Sequence, residues 1–359
     1  MKIILLGENK SVHIQKWVQA ISLSPNIELH VICFDRGVKF EKVTYHTLHP
    51  YLNNKIDFIL NLFHVKSIIK SIKPDLVHAH YATSYGLLGA FSNFHPFIIT
   101  GWGADIFDSP NNKLMKLVLK YSFSKADAIT VLSKVTELEI KKLTSKSIHL
   151  IPFGVDIDIF SPSPIKDVEV FKIGAVRTLT EKYGIEFLIR AFAILSKKYN
   201  NIELHLVGDG PLKTTFIELT KTLNIEKNVI FYGYVNQNDD FQKYLSILNN
   251  LNVFVIPSII DSETFGVAAV EASACELPVI ASNVGGLPEV VEHNETGIIV
   301  PPKDEKAIAD AIEKLFLDQE LRIRMGKNGR KKVIEHYYWK NNVSKMISLY
   351  SNLVSKNRK

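Results

Sequence analysis

The chain has only two cysteines in 359 residues, Cys33 and Cys275. Both stand alone in apolar surroundings, without the paired spacing of a zinc site. Neither a disulfide framework nor a cysteine metal centre organises the fold, and a reducing compartment is expected. No apolar run approaches the roughly 18 residues that a membrane-spanning helix needs. The opening Met1-Lys2-Ile3-Ile4-Leu5-Leu6 stops at Gly7-Glu8, too short for a secretion signal, and reads as a first buried strand. A cytoplasmic protein is expected, with at most peripheral membrane contact. Neither sign of charge dominates: 43 Lys and Arg against 37 Asp and Glu give a formal net charge of +6. That excess is too small to argue nucleic-acid binding, but it suits an anionic ligand or an acidic membrane surface.

What is present is the material of a globular protein, 46% hydrophobic and 22% charged, in a chain long enough for two domains. Strand-like runs at Ile3–Leu6, Glu28–Phe34, Leu76–Ala79, Phe97–Thr100, Ala128–Leu132 and Ile148–Ile151 alternate with helical periodicity, including 11–23, 56–72 and 113–122. Three prolines and a glycine between Pro152 and Lys166 mark a linker, after which the alternation resumes from Val170 to beyond Asp304. The expectation is an α/β protein of two doubly wound parallel sheets, 1–160 and 161–335, facing each other across a cleft.

One stretch organises the second domain: Asp261-Ser262-Glu263-Thr264-Phe265-Gly266-Val267-Ala268-Ala269-Val270-Glu271-Ala272. It follows the buried run 251–256 and opens an Ala-rich helix, so unpaired amides and the positive end of a helix dipole are offered where a phosphate can bind. With a helix start near Gly266, Glu271 lies about 7 Å further along its axis while Glu263 stays on the loop. Carboxylates so placed suit the hydroxyls that flank a diphosphate, although glutamates at this spacing also occur on ordinary solvated helices. Arg177 and Lys182 share the loop after the domain's first strand, where cations meet a phosphate over the sheet edge. Gly208-Asp209-Gly210-Pro211 is an incomplete dinucleotide fingerprint, with Lys213 at the third glycine position. It reads either as a turn that lets a ligand approach the backbone or as a plain structural turn. Gly233 and Val235, within Tyr232-Gly233-Tyr234-Val235, end another strand at the same edge and offer backbone and aromatic groups to a planar base.

Taken together, the Arg177/Lys182 loop, the Gly208 turn, the Gly233 region, the Glu263-x7-Glu271 pair and Val284-Gly285-Gly286-Leu287-Pro288-Glu289 appear in family order over roughly residues 170–335. In this they resemble the donor half of retaining family 4 glycosyltransferases with the GT-B fold (glycosyl transferases group 1). The resemblance implies that Arg177 and Lys182 neutralise a donor diphosphate, and that Glu271 holds the ribose. Glu263, with the amides of Phe265, Gly266 and Val267, would hold the sugar and distal phosphate. No cofactor or metal is implied, since cations and a helix dipole stabilise the leaving group, and Asp156-Ile157-Asp158 is not taken as a metal motif. The first domain would take the acceptor, with 336–359 packing back on it as a helix. Its match is looser: His13 near the first helix and His80 at a strand end resemble family positions, His80 being as well explained as scaffold.

Thr100-Gly101-Trp102-Gly103-Ala104-Asp105 carries Trp102 where many relatives have a histidine. His13 and Trp102 are therefore expected on the acceptor side, and His80, Asp105 or Glu263 as catalytic groups. The basic, amphipathic 111–120 is a candidate membrane contact, or else a core-facing helix with a solvated lysine face. The expected activity moves a sugar from a UDP-sugar, or next from GDP-mannose, to a hydroxyl of a glycan or lipid-linked saccharide for cell-surface polysaccharide. A nucleotide-sugar epimerase of similar fold and a two-domain sugar-binding protein are the alternatives.

Overall fold

A computed structural model of the chain describes residues 1–34, 37–107, 112–163, 169–235 and 240–358. Pro164 to Lys166 of the expected linker, and Asn111 of the basic stretch, lie outside the described residues. The chain divides into two compact units, Met1–Pro152 with Lys340–Lys359, and Phe153–Trp339. These divisions fall earlier than residue 160 and later than 335 for a physical reason. Val155 exchanges backbone bonds with the residues at 337 and 339, and Phe160 packs edge-on against Phe241, so 153–160 is tied to the second unit.

The first unit is a seven-stranded parallel sheet, β1 (Lys2–Leu6), β2 (Glu28–Cys33), β3 (Val43–Thr47), β4 (Leu76–His80), β5 (Phe97–Gly101), β6 (Ala128–Val131) and β7 (Ile148–Leu150), in the order β3-β2-β1-β4-β5-β6-β7. The second has six parallel strands, β8 (Phe171–Val176), β9 (Ile202–Val207), β10 (Val229–Gly233), β11 (Val253–Ile256), β12 (Val279–Ser282) and β13 (Gly297–Val300), in the order β10-β9-β8-β11-β12-β13. Every residue of β4 and β5 is buried, as a sheet covered by helices on both faces requires. In each sheet the strand order reverses once, between β1 and β4 and between β8 and β11. The loops leaving the carboxyl ends of those strands diverge there and open a crevice.

Two strands were not foreseen. β3 is a half-exposed edge strand of mixed polarity with no apolar run, and β13 is a four-residue edge strand whose apolar run, Ile298-Ile299-Val300, is short and follows a glycine. The single helix expected over 56–72 is two, Ile56–Leu60 and Leu62–Ile72, because buried Asn61 turns its side-chain amide onto the carbonyls of His49 and Asp57 at 2.9 and 2.8 Å.

Candidate functional site

At the reversal of the second sheet, Arg177 follows β8 and the 257–266 loop follows β11. The Arg177 and Glu263 side chains are 13% and 11% exposed, and Nη2 stands 3.2 Å from Glu263 Oε2. That contact has ion-pair distance without hydrogen-bond alignment: Arg177 Nε and Nη2, and the hydroxyl of Thr180 on the same loop, are buried with no hydrogen-bond partner among the described residues. A guanidinium with two unmatched donors is costly in a protein interior unless a ligand supplies acceptors. Glu263 Oε2 is also approached by Ser258 Oγ at 3.4 Å.

Lys182 lies in the 3-10 turn Glu181–Tyr183, and its carbonyl accepts from Ile259 N–H at 3.0 Å, which ties the two loops together. Tyr183, which sequence reasoning passed over, holds both cations: Arg177 and Lys182 sit 5.2 and 4.9 Å from its ring centroid.

The helix Val267–Ala274 begins at Gly266, whose φ of 77° suits a residue without Cβ. The amides of Phe265, Gly266 and Val267 have no acceptor among the described residues, while those of Gly285 and Gly286 bind Asp261 Oδ1 and the Glu263 carbonyl at 3.2 and 3.0 Å and hold the loop in place. Glu271, one turn in, is buried, and the Tyr244 hydroxyl donates to its Oε2 at 2.5 Å. Burial and the Glu271 charge hold Tyr244 well above the ordinary phenol range, while the nearby positive Arg177 acts in the opposite sense. The structure therefore brings Arg177, Lys182, Glu263 and Glu271 to one edge. Tyr244, from the helix Phe241–Asn249, had no signal in the local motif. Because it fixes the Glu271 carboxylate, Tyr244→Phe is expected to raise the donor KM about tenfold and leave kcat near the wild-type value. Steady-state kinetics over a donor series reads this, and an equal fall in kcat would contradict a positioning role.

Gly208 closes β9 with a φ of 139°, its N–H bonded to the Gly233 carbonyl at 2.8 Å. What approaches its backbone is the protein itself, since a Cβ there would lie 1.8 Å from the Arg177 carbonyl oxygen. The turn thus braces the Arg177 loop. Val235 is buried and Tyr234 is exposed beside it.

In the first unit, His13 lies in the opening turn of the helix Val12–Ser22, His80 ends β4, and Trp102 follows β5. Trp102 Nε1–H donates to His80 Nδ1 at 3.2 Å. An indole nitrogen can only donate, so neutral His80 carries its proton on Nε2, a buried donor with no partner among the described residues. With its basic nitrogen covered, His80 in this arrangement is a hydrogen-bond donor rather than a base. Asp105 is buried and occupied on both oxygens: Oδ1 accepts from the amides of Trp102 and Gly103 at 2.9 and 3.0 Å, and Oδ2 from Ala82 at 2.6 Å. It joins the loops after β4 and β5, and its three amide bonds hold the carboxylate in one orientation. Burial nevertheless raises its pKa to about 6, against the opposing pull of the amides.

Beneath this layer His78 is held between the hydroxyls of Tyr350 (2.6 Å) and Thr100 (2.7 Å). Burial pushes His78 down to about 3 and His80 well below the imidazole range, and burial with Lys16 pushes His13 down to about 4. These imidazoles fold neutral, so the stability they allow is present above the unfolded value near 6.5 and is lost as pH falls through it. Asp105 acts in the opposite sense, favouring the fold less as pH rises toward 6, but it is one group against three. The thermal midpoint is therefore expected to fall between about pH 7 and pH 5. A midpoint that stays level or rises over that interval would contradict the neutral, buried state of the three imidazoles.

Residues 156–332 match the family described as Glycosyl transferases group 1, and residues 2–133 match Glycosyl transferase 4-like. An uncharacterized glycosyltransferase of Methanocaldococcus jannaschii is 27% identical over 96% of this chain and 94% of its own length. A GDP-mannose-dependent alpha-(1-6)-phosphatidylinositol monomannoside mannosyltransferase of Mycobacterium tuberculosis is 29% identical over 62% of this chain and 61% of its own. The crystal structure of Anabaena HepE in complex with UDP superposes with a TM-score of 0.82 at 19% identity, covering 98% of this chain and 100% of that one. With the two parallel sheets and the loops at their reversals, these matches show that the chain belongs to the group 1 glycosyltransferases and has the GT-B fold.

Proposed function

We propose that the protein is a retaining glycosyltransferase that moves a sugar from a nucleoside-diphosphate donor held by the second unit to a hydroxyl of a glycan or lipid-linked saccharide taken by the first. The observation that carries the donor reading is the Arg177 guanidinium, buried with Nε and Nη2 lacking acceptors beside the amides that open the helix at Gly266. Diphosphate oxygens supply the acceptors that this site lacks. As the glycosidic bond breaks, negative charge grows on the phosphate and is met by Arg177, Lys182 and the helix N-terminus. Glu271 binds ribose hydroxyls, and Glu263 holds the sugar.

Among the described residues no group of three or more His, Cys, Asp or Glu side chains is placed to hold a metal ion. The reading assigns charge neutralisation to the protein's own cations, and turnover in the presence of a chelator tests it. Uridine is the base proposed first, in keeping with UDP bound by HepE; guanosine with mannose is the second reading, favoured by the mycobacterial relative.

Peripheral contact of the first unit with an anionic membrane forms part of this reading. Among the described residues no helix is long and apolar enough to cross a membrane. Leu114, Leu117 and Tyr121 are nonetheless exposed on one stripe of the helix Lys113–Lys125, among Lys113, Lys116 and Lys120, and Phe63 is 76% exposed near Ile59 and Leu60. Thermal stabilisation by UDP against GDP, followed by donor hydrolysis across a panel of nucleotide sugars, tests the donor assignment. Stabilisation by neither would remove it.

A further inference from the structure

Arg330, on the helix Gln319–His336, is half-buried and has no carboxylate partner among the described residues. Its guanidinium instead forks among three carbonyls: Nη1 donates to Ala274 and, at 2.9 Å, to Phe160, and Nη2 donates to Ile157 at 3.3 Å. Ala274 ends the helix Val267–Ala274, so the cation meets a carbonyl left over at that helix's negative pole. The close approach needs Gly326, one turn earlier, where a Cβ would lie 1.9 Å from the Glu276 carbonyl oxygen. Both arms of the fork lead to Glu271. Through Ala274, Arg330 holds the end of the helix that carries Glu271. Through Phe160 it holds a buried ring set edge-on to Tyr244, with centroids 6.3 Å apart, and the Tyr244 hydroxyl donates to Glu271 Oε2. Arg330 thus closes a ring of contacts that fixes this carboxylate both from its backbone and from its oxygen. Burial, and then the Glu271 charge, push the Cys275 thiol up to about 12 while Arg330 acts in the opposite sense, so both charges reach the same side chain. The other end of the helix is braced separately, by the amides of Gly285 and Gly286 on Asp261 and Glu263.

We propose that Arg330 is the positioning residue for Glu271 and thereby sets how strongly the site prefers a ribonucleoside diphosphate to its 2′-deoxy counterpart. The proposal rests on the reading above in which Glu271 binds ribose hydroxyls. A carboxylate gains most from a hydroxyl when its oxygens are already directed there, because a mobile one must first be ordered. Without Arg330 the helix end and Phe160 lose their common anchor, and Glu271 loses its fixed direction. Arg177 and the amides at Gly266 still meet the diphosphate.

The test is titration calorimetry of UDP, GDP and their 2′-deoxy counterparts into the whole protein. The wild type is expected to bind at least one ribonucleotide about tenfold or more tightly than its 2′-deoxy form. In Arg330→Met that preference is expected to fall to about twofold or less, while affinity for the 2′-deoxy form changes by less than about threefold. Arg330→Lys keeps the charge but not the fork and is expected to retain part of the preference; it reads the same ratio should Arg330→Met fail to fold. A role confined to general stability would weaken both forms alike. An unchanged preference in the folded variants, with affinity kept or lost equally for the two forms, therefore overturns the proposal and leaves the donor reading in place. A wild type that binds nucleotide without ribose preference removes the Glu271 assignment and the proposal with it. A wild type that binds neither nucleotide removes the donor reading as well.

Discussion

Replacing Arg177 by alanine is expected to lower donor turnover by about 10²–10³-fold, the usual effect of removing one preorganised donor aimed at developing charge. The size follows from the setting. The guanidinium is buried, fixed between the Tyr183 ring and Glu263, and holds two N–H-bearing nitrogens without acceptors, so little reorganisation stands between the resting site and one that binds phosphate oxygens. Alanine also leaves Glu263, 11% exposed, without its cation, and a carboxylate stranded there repels the diphosphate that arrives next. Arg177→Lys restores the charge but not the fork, and is expected to recover only part of the loss. Single-turnover kinetics with saturating donor reads both variants. Near-normal turnover in Arg177→Ala would remove the guanidinium from the chemistry.

Gly208→Ala is expected to destabilise the second unit by about 2–4 kcal/mol and to abolish donor binding at ordinary concentrations. A Cβ at 208 would lie 1.8 Å from the Arg177 carbonyl oxygen, and φ is 139°, so backbone must move and no flexible side-chain end can give way. The displaced groups are those that carry the site. Arg177 N–H binds the Val207 carbonyl and Leu179 N–H the Asp209 carbonyl, both at 2.9 Å, and Gly208 N–H binds Gly233. Gly329→Ala provides the contrast. That glycine is helical, and its added Cβ would meet the Ser273 Cβ at 3.3 Å, so helix propensity gained and slight crowding nearly offset. Denaturant melts compare the two glycines. Equal stability of Gly208→Ala and the wild type would show that the turn does not brace the Arg177 loop.

The placement of the second unit's candidate site residues was legible because they sit next to the strand ends that position them. Arg177 and Lys182 follow β8, and Glu263 and Glu271 bracket the opening of a helix, so spacing along the chain translates directly into position on the sheet edge. Tyr244 and Ser258 lie outside those motifs and reach Glu271 and Glu263 only through packing. The Gly208 turn was ambiguous in sequence because the same glycines serve a ligand or the chain's own backbone, and only the 1.8 Å approach to Arg177 decides between them.

The first unit was less legible still. The order of bonds from Trp102 to His80 and from Asp105 to three amides depends on loops after different strands, and no local pattern announces it. Residue type alone does not give this arrangement, in which the histidine accepts an indole N–H and the aspartate ties two loops together.

The central claim is that the Arg177 edge of the second unit binds a nucleoside diphosphate. Titration calorimetry of UDP and of GDP, with a chelator present, into the wild type and Arg177→Ala tests it most directly. The account predicts saturable binding of one of the two by the wild type, and binding at least about tenfold weaker by Arg177→Ala. Binding of neither nucleotide by the wild type, or equal affinity in the two proteins, would contradict it.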